Sequence, residues 1–207
     1  MGKPLLEATQ LECQRGDRVL FSGLNFSITA GSLLLIEGEN GAGKTSLLRL
    51  LCGLSRPAAG DILWRGIGIH TQRSVYHGEM AYLGHHGGVK LELSTLENLA
   101  AFCALRRARS LPEMEEALYQ VGLNGFEDAP GRRLSAGQKQ RLTLARLLLS
   151  GALLWVLDEP YTALDVDGIA LVNGMLERHA AHGGSAILTS HQPVSLNAAL
   201  DRLRLGA

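Results

Sequence analysis

The residues with an evident chemistry come early in the chain. Gly38-Glu39-Asn40-Gly41-Ala42-Gly43-Lys44-Thr45 sets glycine, four residues, glycine, lysine and threonine in order, with Ser46 next. That spacing fits a phosphate loop. The glycines let successive backbone N–H groups converge on a β-phosphate with no Cβ in the way. Lys44 would reach the β- and γ-phosphates, and the Thr45 hydroxyl is an oxygen ligand of the kind magnesium needs. The alternative is a glycine-rich turn carrying a surface lysine, and the elements on either side argue against it.

Three later segments could act on such a phosphate. The apolar run Leu153 to Leu157 ends in Asp158 and Glu159. At a strand's carboxyl end Asp158 could hold a magnesium shell through water. Glu159, expected to leave the strand on the opposite side, either orients and deprotonates an attacking water or only closes the strand end. Leu134-Ser135-Ala136-Gly137-Gln138 opens a helix, where a serine cap, two small residues and the helix N-terminus can receive an anion or simply start the helix. Ser190-His191 follows another buried run, which puts an imidazole at a second carboxyl end.

These groups need a scaffold, and hydrophobic periodicity supplies one. Ser32 to Glu37 reads as a buried strand, and Thr45 to Cys52 has leucines at helical spacing, so the glycine loop sits between strand and helix. Before them, Leu5 to Ala30 alternates in short segments and reads as a small antiparallel sheet. Ser94 to Leu105, with a capping-like Ser-Thr-Leu-Glu, and Pro112 to Val121 form a helix pair, and Ser135 to Leu149 is a further helix. The basic side chains on that last helix, Lys139, Arg141 and Arg146, read as a solvated face or a binding stripe. Leu153 to Leu157 and Ser185 to Thr189 are buried strands around a helix at Val166 to Ala181, and Leu203 to Leu205 closes an edge. The expectation is one α/β domain over residues 1–207: a parallel-sheet core, an N-terminal antiparallel β subdomain, and helices inserted at about 86–150.

Composition excludes several classes. With 207 residues and 46% hydrophobic, the chain can bury a real core. Lys and Arg number 20 against 20 Asp and Glu, so bulk charge would not hold a nucleic-acid backbone. The longest apolar runs fall short of the roughly 20 residues of a membrane helix. The N-terminus shows no secretory pattern, and Cys13, Cys52 and Cys103 are too scattered for a zinc or disulfide framework; they read as buried thiols of a reducing, cytoplasmic compartment. Many of the 25 glycines fall in punctuating places, as loops between alternating elements would have them.

The order of these motifs resembles that of ATP-binding cassette ATPases over nearly the whole chain. The resemblance implies a P-loop NTPase fold, ATP and Mg2+ as cofactors, and a homodimer of cassettes enclosing two nucleotides head to tail. It implies that Lys44, Glu159 and His191 are catalytic, that Thr45 and Asp158 hold the metal, Asp158 through water, and that residues 38–46 cradle the phosphates. Ser135, Gly137 and Gln138 would meet the partner's γ-phosphate, with Asp165 in the Thr162-Ala-Leu-Asp165 loop between cassettes. Three positions depart from the family pattern. Ala136 stands where glycine is usual, His85, or His86 with a one-residue slip, stands at the place of a glutamine, and Arg15 stands where an aromatic often stacks on adenine.

Leu20-Phe-Ser-Gly-Leu-Asn-Phe26, Tyr82-Leu-Gly-His-His86, Asp158-Glu-Pro-Tyr-Thr162 and Leu188-Thr-Ser-His-Gln-Pro193 are similar to segments of the ATPase subunits of bacterial cytochrome c maturation systems. That implies a peripheral position at the cytoplasmic face of the inner membrane, a multi-spanning membrane partner, and work in haem export or haem release. Direct haem binding is not expected, because no Cys-x-x-Cys-His pattern occurs and the His85 position already has a nucleotide-coupling role. Two other classes compete. A soluble cassette ATPase acting on nucleic acid or ribosomes would carry a second cassette or a long coiled coil, and a small-molecule kinase would leave the Ser135 segment unexplained.

Overall fold

The structure is a computed structural model, and it describes residues 3–84 and 87–206. Five short apolar strands form its centre: β3 (Leu33–Glu37), β6 (Met80–Leu83), β7 (Leu154–Leu157), β8 (Ser185–Thr189) and β9 (Leu200–Arg204), parallel in the order β6-β7-β8-β3-β9. These strands read as unbroken apolar runs because both faces are covered. Alternate residues go to opposite sides: Leu33, Leu35, Trp155 and Leu157 to one cluster, Leu34, Ile36, Leu154 and Val156 to the other.

The first cluster lies against α3 (Thr95–Arg106), α4 (Leu111–Gln120), α5 (Ala136–Ser150) and α6 (Val166–Ala181). The second is filled by α1 (Lys44–Leu51) and by an antiparallel sheet in the order β2-β1-β4-β5. In that sheet β1 (Leu6–Arg15) and β2 (Arg18–Ile28) are joined by β4 (Ala59–Trp64) and β5 (Ile67–Gly68). Strand β1 keeps its apolar face through a bulge. Leu6 and Ala8 point inward, Gln10 takes φ 49°, and Leu11 and Cys13 resume the inward face.

The α/β architecture agrees with the expectation, and α6 and β8 have the expected bounds. Some particulars differ. The antiparallel sheet does not simply precede the core, since β4 and β5 return to it after α1. The last strand spans Leu200–Arg204 instead of Leu203 to Leu205 and is an edge of the sheet, beside β3. Helix α2 (Arg73–Glu79) and strand β6 had no counterpart in the sequence reading. Helices α3, α4 and α5 follow one another between β6 and β7. Helices α3 and α5 begin with full capping boxes, Ser94 with Glu97 and Ser135 with Gln138. All three cysteines are buried and free. Among the described residues no helix is long and apolar enough to cross a membrane.

One histidine is bound into this packing. The rings of Trp155 on β7 and His179 on α6 stack in parallel, with centroids 3.8 Å apart and planes 6° apart, and His179 Nε2 donates to the Leu153 carbonyl at 3.2 Å. Burial pushes its pKa below the ordinary 6.5, a charged His182 adds to this, and backbone hydrogen bonds at Leu153 and Ser185 oppose it. The unfolded chain therefore takes up a proton near pH 6.5 that the folded chain resists. This stabilisation is complete above that pH and is lost as pH falls below it. Chemical denaturation should show wild-type stability declining as pH drops from about 7 to 5, and His179→Phe, which cannot titrate, should have the shallower slope. Equal slopes would remove His179 from the account.

Candidate functional site

The glycine loop joins β3 to α1, and its geometry follows from two close approaches. Gly43, at φ 99°, is the N-cap residue of α1, and a Cβ there would sit 3.2 Å from Leu20 and from the Phe21 ring. Gly38 passes the β9 end so closely that a Cβ would lie 2.9 Å from the Leu205 carbonyl. No side chain caps α1, so its first N–H groups stay available to a ligand. Lys44 is buried, and its Nζ donates to the carbonyls of Gly38 at 2.7 Å and Glu39 at 3.2 Å. The ammonium thus closes the loop on itself and sits among the backbone groups that would surround a phosphate.

A cleft of about 450 Å³ opens here, at the carboxyl edge of the parallel sheet. Glu39, Asn40, Gly41, Gly43, Lys44, Thr45 and Ser46 line one side, and Asp158, Glu159, Thr162 and His191 line the other. Arg15 and Leu20, from the β1–β2 hairpin, form a wall. Gly38 and Ala42 are not among the lining residues; the Gly38 carbonyl accepts from Lys44 and the Ala42 N–H donates to the Glu39 carbonyl at 3.1 Å.

Asp158 is 3% exposed. The Thr45 hydroxyl donates to its Oδ2 at 3.1 Å and the Thr189 hydroxyl to its Oδ1 at 2.9 Å. A hydroxyl and a carboxylate at this spacing, open to a cleft, are hard oxygen donors suited to a small divalent cation that keeps water in its shell. Among the described residues no three His, Cys, Asp or Glu side chains could hold a metal alone, so these two oxygens would need phosphate and water to complete a shell.

Glu159 corrects the sequence expectation. It was expected to leave β7 on the side opposite Asp158, yet both carboxylates line the one cleft. The reason is that β7 ends at Leu157, and Glu159 takes φ 54°, a left-handed conformation that breaks the two-residue alternation. Its N–H donates to Thr189 Oγ1 at 3.0 Å, its Oε2 accepts the His191 N–H at 3.0 Å, and its Oε1 lies 3.4 Å from His191 Nε2. Carboxylate and imidazole therefore form a pair at the mouth of the cleft, able to orient and accept a proton from a water between them and a bound phosphate.

The other expected residues lie outside this cleft. Ser135, exposed, accepts from the Gln138 N–H at 3.2 Å, and Gln138 returns a bond to the Ser135 N–H. Gly137 lies against the loop after β7, where a Cβ would come within 2.8 Å of the Ala163 carbonyl. Asp165 caps α6 through the Gly168 N–H at 2.8 Å and pairs with Arg141 at 3.0 Å, and these contacts hold its carboxyl below the usual range. The place of His85 or His86 falls outside the described residues. Thr189 and Gln140, whose Nε2 holds the Pro160 carbonyl at 2.8 Å, were not anticipated. The one sequence signal for Thr189 is a hydroxyl that follows the apolar residues Ala186 to Leu188 of a buried run.

Fold and cleft together define a phosphate-loop nucleotide-binding protein. Residues 21–162 match the ABC transporter family. The chain is 58% identical, over 91% of its length and 92% of the relative's, to the cytochrome c biogenesis ATP-binding export protein CcmA of Methylococcus capsulatus. It is 50% identical, over 98% and 99% of the two lengths, to the protein of that name from Nitrosospira multiformis. A solved structure of a putative ABC transporter ATP-binding protein from Pyrococcus furiosus superposes with TM-score 0.83 at 26% identity, covering 96% of each chain. The chain belongs to the ABC transporter family, and it is an ATP-binding, ATP-hydrolysing cassette of the kind that works as a dimer beside membrane subunits.

Lys44→Ala should test the loop. The substitution removes a buried charge and both bonds that close the loop, so affinity for a fluorescent ATP analogue should fall at least about tenfold while the melting temperature changes little. Unchanged affinity would mean that the ammonium does not meet phosphate.

Proposed function

We propose that this chain is the ATP-hydrolysing subunit of a bacterial complex for c-type cytochrome biogenesis. It would lie at the cytoplasmic face of the inner membrane and drive haem export or haem release through a multi-spanning partner. The observation that carries the reading is the convergence of the glycine loop, Asp158, Glu159 and His191 on one cleft, in a chain so similar to two cytochrome c biogenesis proteins over nearly its whole length.

In this reading the backbone of residues 38–46, with Lys44, holds the β- and γ-phosphates, and the Arg15 guanidinium offers a flat surface to the adenine. Thr45 and Asp158 would hold magnesium, Asp158 through water. When bound, the ion neutralises charge that builds on the phosphate oxygens. Glu159 orients the attacking water and takes its proton, and His191 holds both Glu159 and the line of attack. By its place in the sequence His85, or His86 with a one-residue slip, would stand for a metal-contacting glutamine.

Ser135, Gly137, Gln138 and Asp165 serve the second cassette of a homodimer. Ser135 is exposed at a helix N-terminus whose remaining N–H groups can meet an anion from outside the chain. The capping box uses the Ser135 oxygen, so trans contact would begin with the backbone. The balanced charge of the chain suits docking on protein better than adhesion to anionic lipid.

Glu159→Gln keeps the size of the side chain and removes the base. It should leave nucleotide affinity within about threefold, lower turnover at least about a hundredfold, and trap an ATP-dependent homodimer visible by light scattering. A variant that stays monomeric at saturating ATP and magnesium would count against the sandwich. For the membrane assignment, a tag on this chain should bring a polytopic subunit out of native membranes. Recovery only with soluble ribosomes would overturn it.

A further inference from the structure

Thr189 ends β8, is 0% exposed, and is registered with Ile36 on β3, the strand that leads into the glycine loop. Its hydroxyl donates to Asp158 Oδ1 at 2.9 Å and accepts from the Glu159 N–H at 3.0 Å. A single buried oxygen thus serves both carboxylate residues of the cleft, by side chain in one and by backbone in the other. We infer that Thr189 is a positioning residue for hydrolysis, fixing the Asp158 carboxylate and the turn that brings Glu159 into the cleft.

The geometry gives each bond a task. With Oδ1 occupied by Thr189, Asp158 turns Oδ2 toward the Thr45 hydroxyl, at 3.1 Å. Glu159 holds φ 54°, a conformation that a side chain with a Cβ keeps only where its surroundings impose it. Besides its own turn, in which the Thr162 N–H donates to the Glu159 carbonyl at 3.2 Å, those surroundings come from one stretch of chain. Thr189 receives the Glu159 N–H, and His191, two residues on, donates its own N–H to the Glu159 carboxylate at 3.0 Å. Without the hydroxyl the Glu159 N–H loses its partner, and Glu159 is free to return to an extended conformation that would point it away from Asp158.

The inference rests on the reading of Asp158 and Glu159 given under Proposed function, and the experiment separates the two. Thr189→Val preserves volume and strand preference but cannot hydrogen-bond, and Thr189→Ser preserves the hydroxyl. Turnover would be measured on material purified from native membranes through a tag on this chain. Binding of a fluorescent ATP analogue, with and without magnesium, would be measured on the isolated chain.

Thr189→Val should lower kcat at least about tenfold with KM for ATP within about threefold. It should leave metal-free analogue binding within about threefold and raise the magnesium concentration that half-saturates the metal-dependent change in binding. Thr189→Ser should return kcat to within about threefold of wild type. Wild-type turnover and magnesium dependence in Thr189→Val would overturn the inference. So would a parallel loss of metal-free binding and turnover that serine does not rescue, the mark of a merely structural residue. If the valine variant does not fold, Thr189→Ala takes its place, and failure of both would make the hydroxyl a folding determinant and overturn the inference as well. Glu159→Gln is the control. If it turns over at the wild-type rate, the reading of Glu159 fails; if it is inactive while Thr189→Val is not, only the role of Thr189 fails.

Discussion

A carboxylate that is almost out of water at the end of a strand sets the terms for the rest of the molecule. Burying a charge is costly unless it is hydrogen-bonded, and Asp158 receives two hydroxyl donors, one from α1 and one from β8. That requirement is topological as well as local. Thr45 follows β3 through the glycine loop, Asp158 follows β7, and in the sheet β8 lies between them. The strand that separates the two halves of the cleft therefore also supplies the oxygen that joins them. The layers follow from this order. A parallel sheet whose strands are apolar on both faces must be covered on both, by α1 and the antiparallel sheet on one and by α3 to α6 on the other.

The sequence made much of this scaffold legible where its signals were local. Helix α6 opens with Asp165 as a side-chain cap, and β8 is a bounded apolar run, so both could be delimited to the residue. Strand β6 and helix α2 lacked such signals. The strand has four residues, and the helix has seven with no side-chain cap bond. Their place is settled by partners far along the chain, Met80 to Leu83 pairing with Leu154 to Leu157. Strand β4 includes Gly60 and Asp61, and Gly60 is where β1 bulges. A Cβ there would fall 2.3 Å from the Gln10 carbonyl, so glycine here is a packing requirement between strands.

The site divides in the same way. Spacing, with a strand before and a helix after, identifies the glycine loop, because a phosphate cradle is built from consecutive residues. The relation of Glu159 to Asp158 could not be read from spacing, since alternation predicts opposite sides and one left-handed residue reverses the outcome. The partner of its N–H is Thr189, 30 positions away in the chain, and a contact at such separation leaves no periodic trace. The Ser135 segment lies between these cases. Its cap was legible, but its closeness to the loop at Ala163 depends on how α5 packs.

That packing runs along two separate routes, one to the loop after β7 and one to the segment that precedes α3. On one, Gln140 holds the Pro160 carbonyl, Gly137 lies against Ala163, and Arg141 pairs with Asp165, so the start of α5 is fastened to the turn that carries Glu159. On the other, Arg146 donates to the Gly87 carbonyl at 2.8 Å and to Asn98 Oδ1 at 3.0 Å. Asn98, 1% exposed, binds both the N–H and the carbonyl of Lys90 and also the Leu93 carbonyl. The segment from 87 to 93 is thus bonded to α3 and α5 instead of to the sheet. A shift of α5 relative to the sheet edge would have to carry this segment along or break a buried polar network, in which a donor left without its acceptor costs more than the bond itself contributed. The same shift would strain the Gln140 and Gly137 contacts beside Glu159. The hydrogen bonds therefore make the position of the helices and the geometry of the turn at Glu159 mechanically dependent on each other.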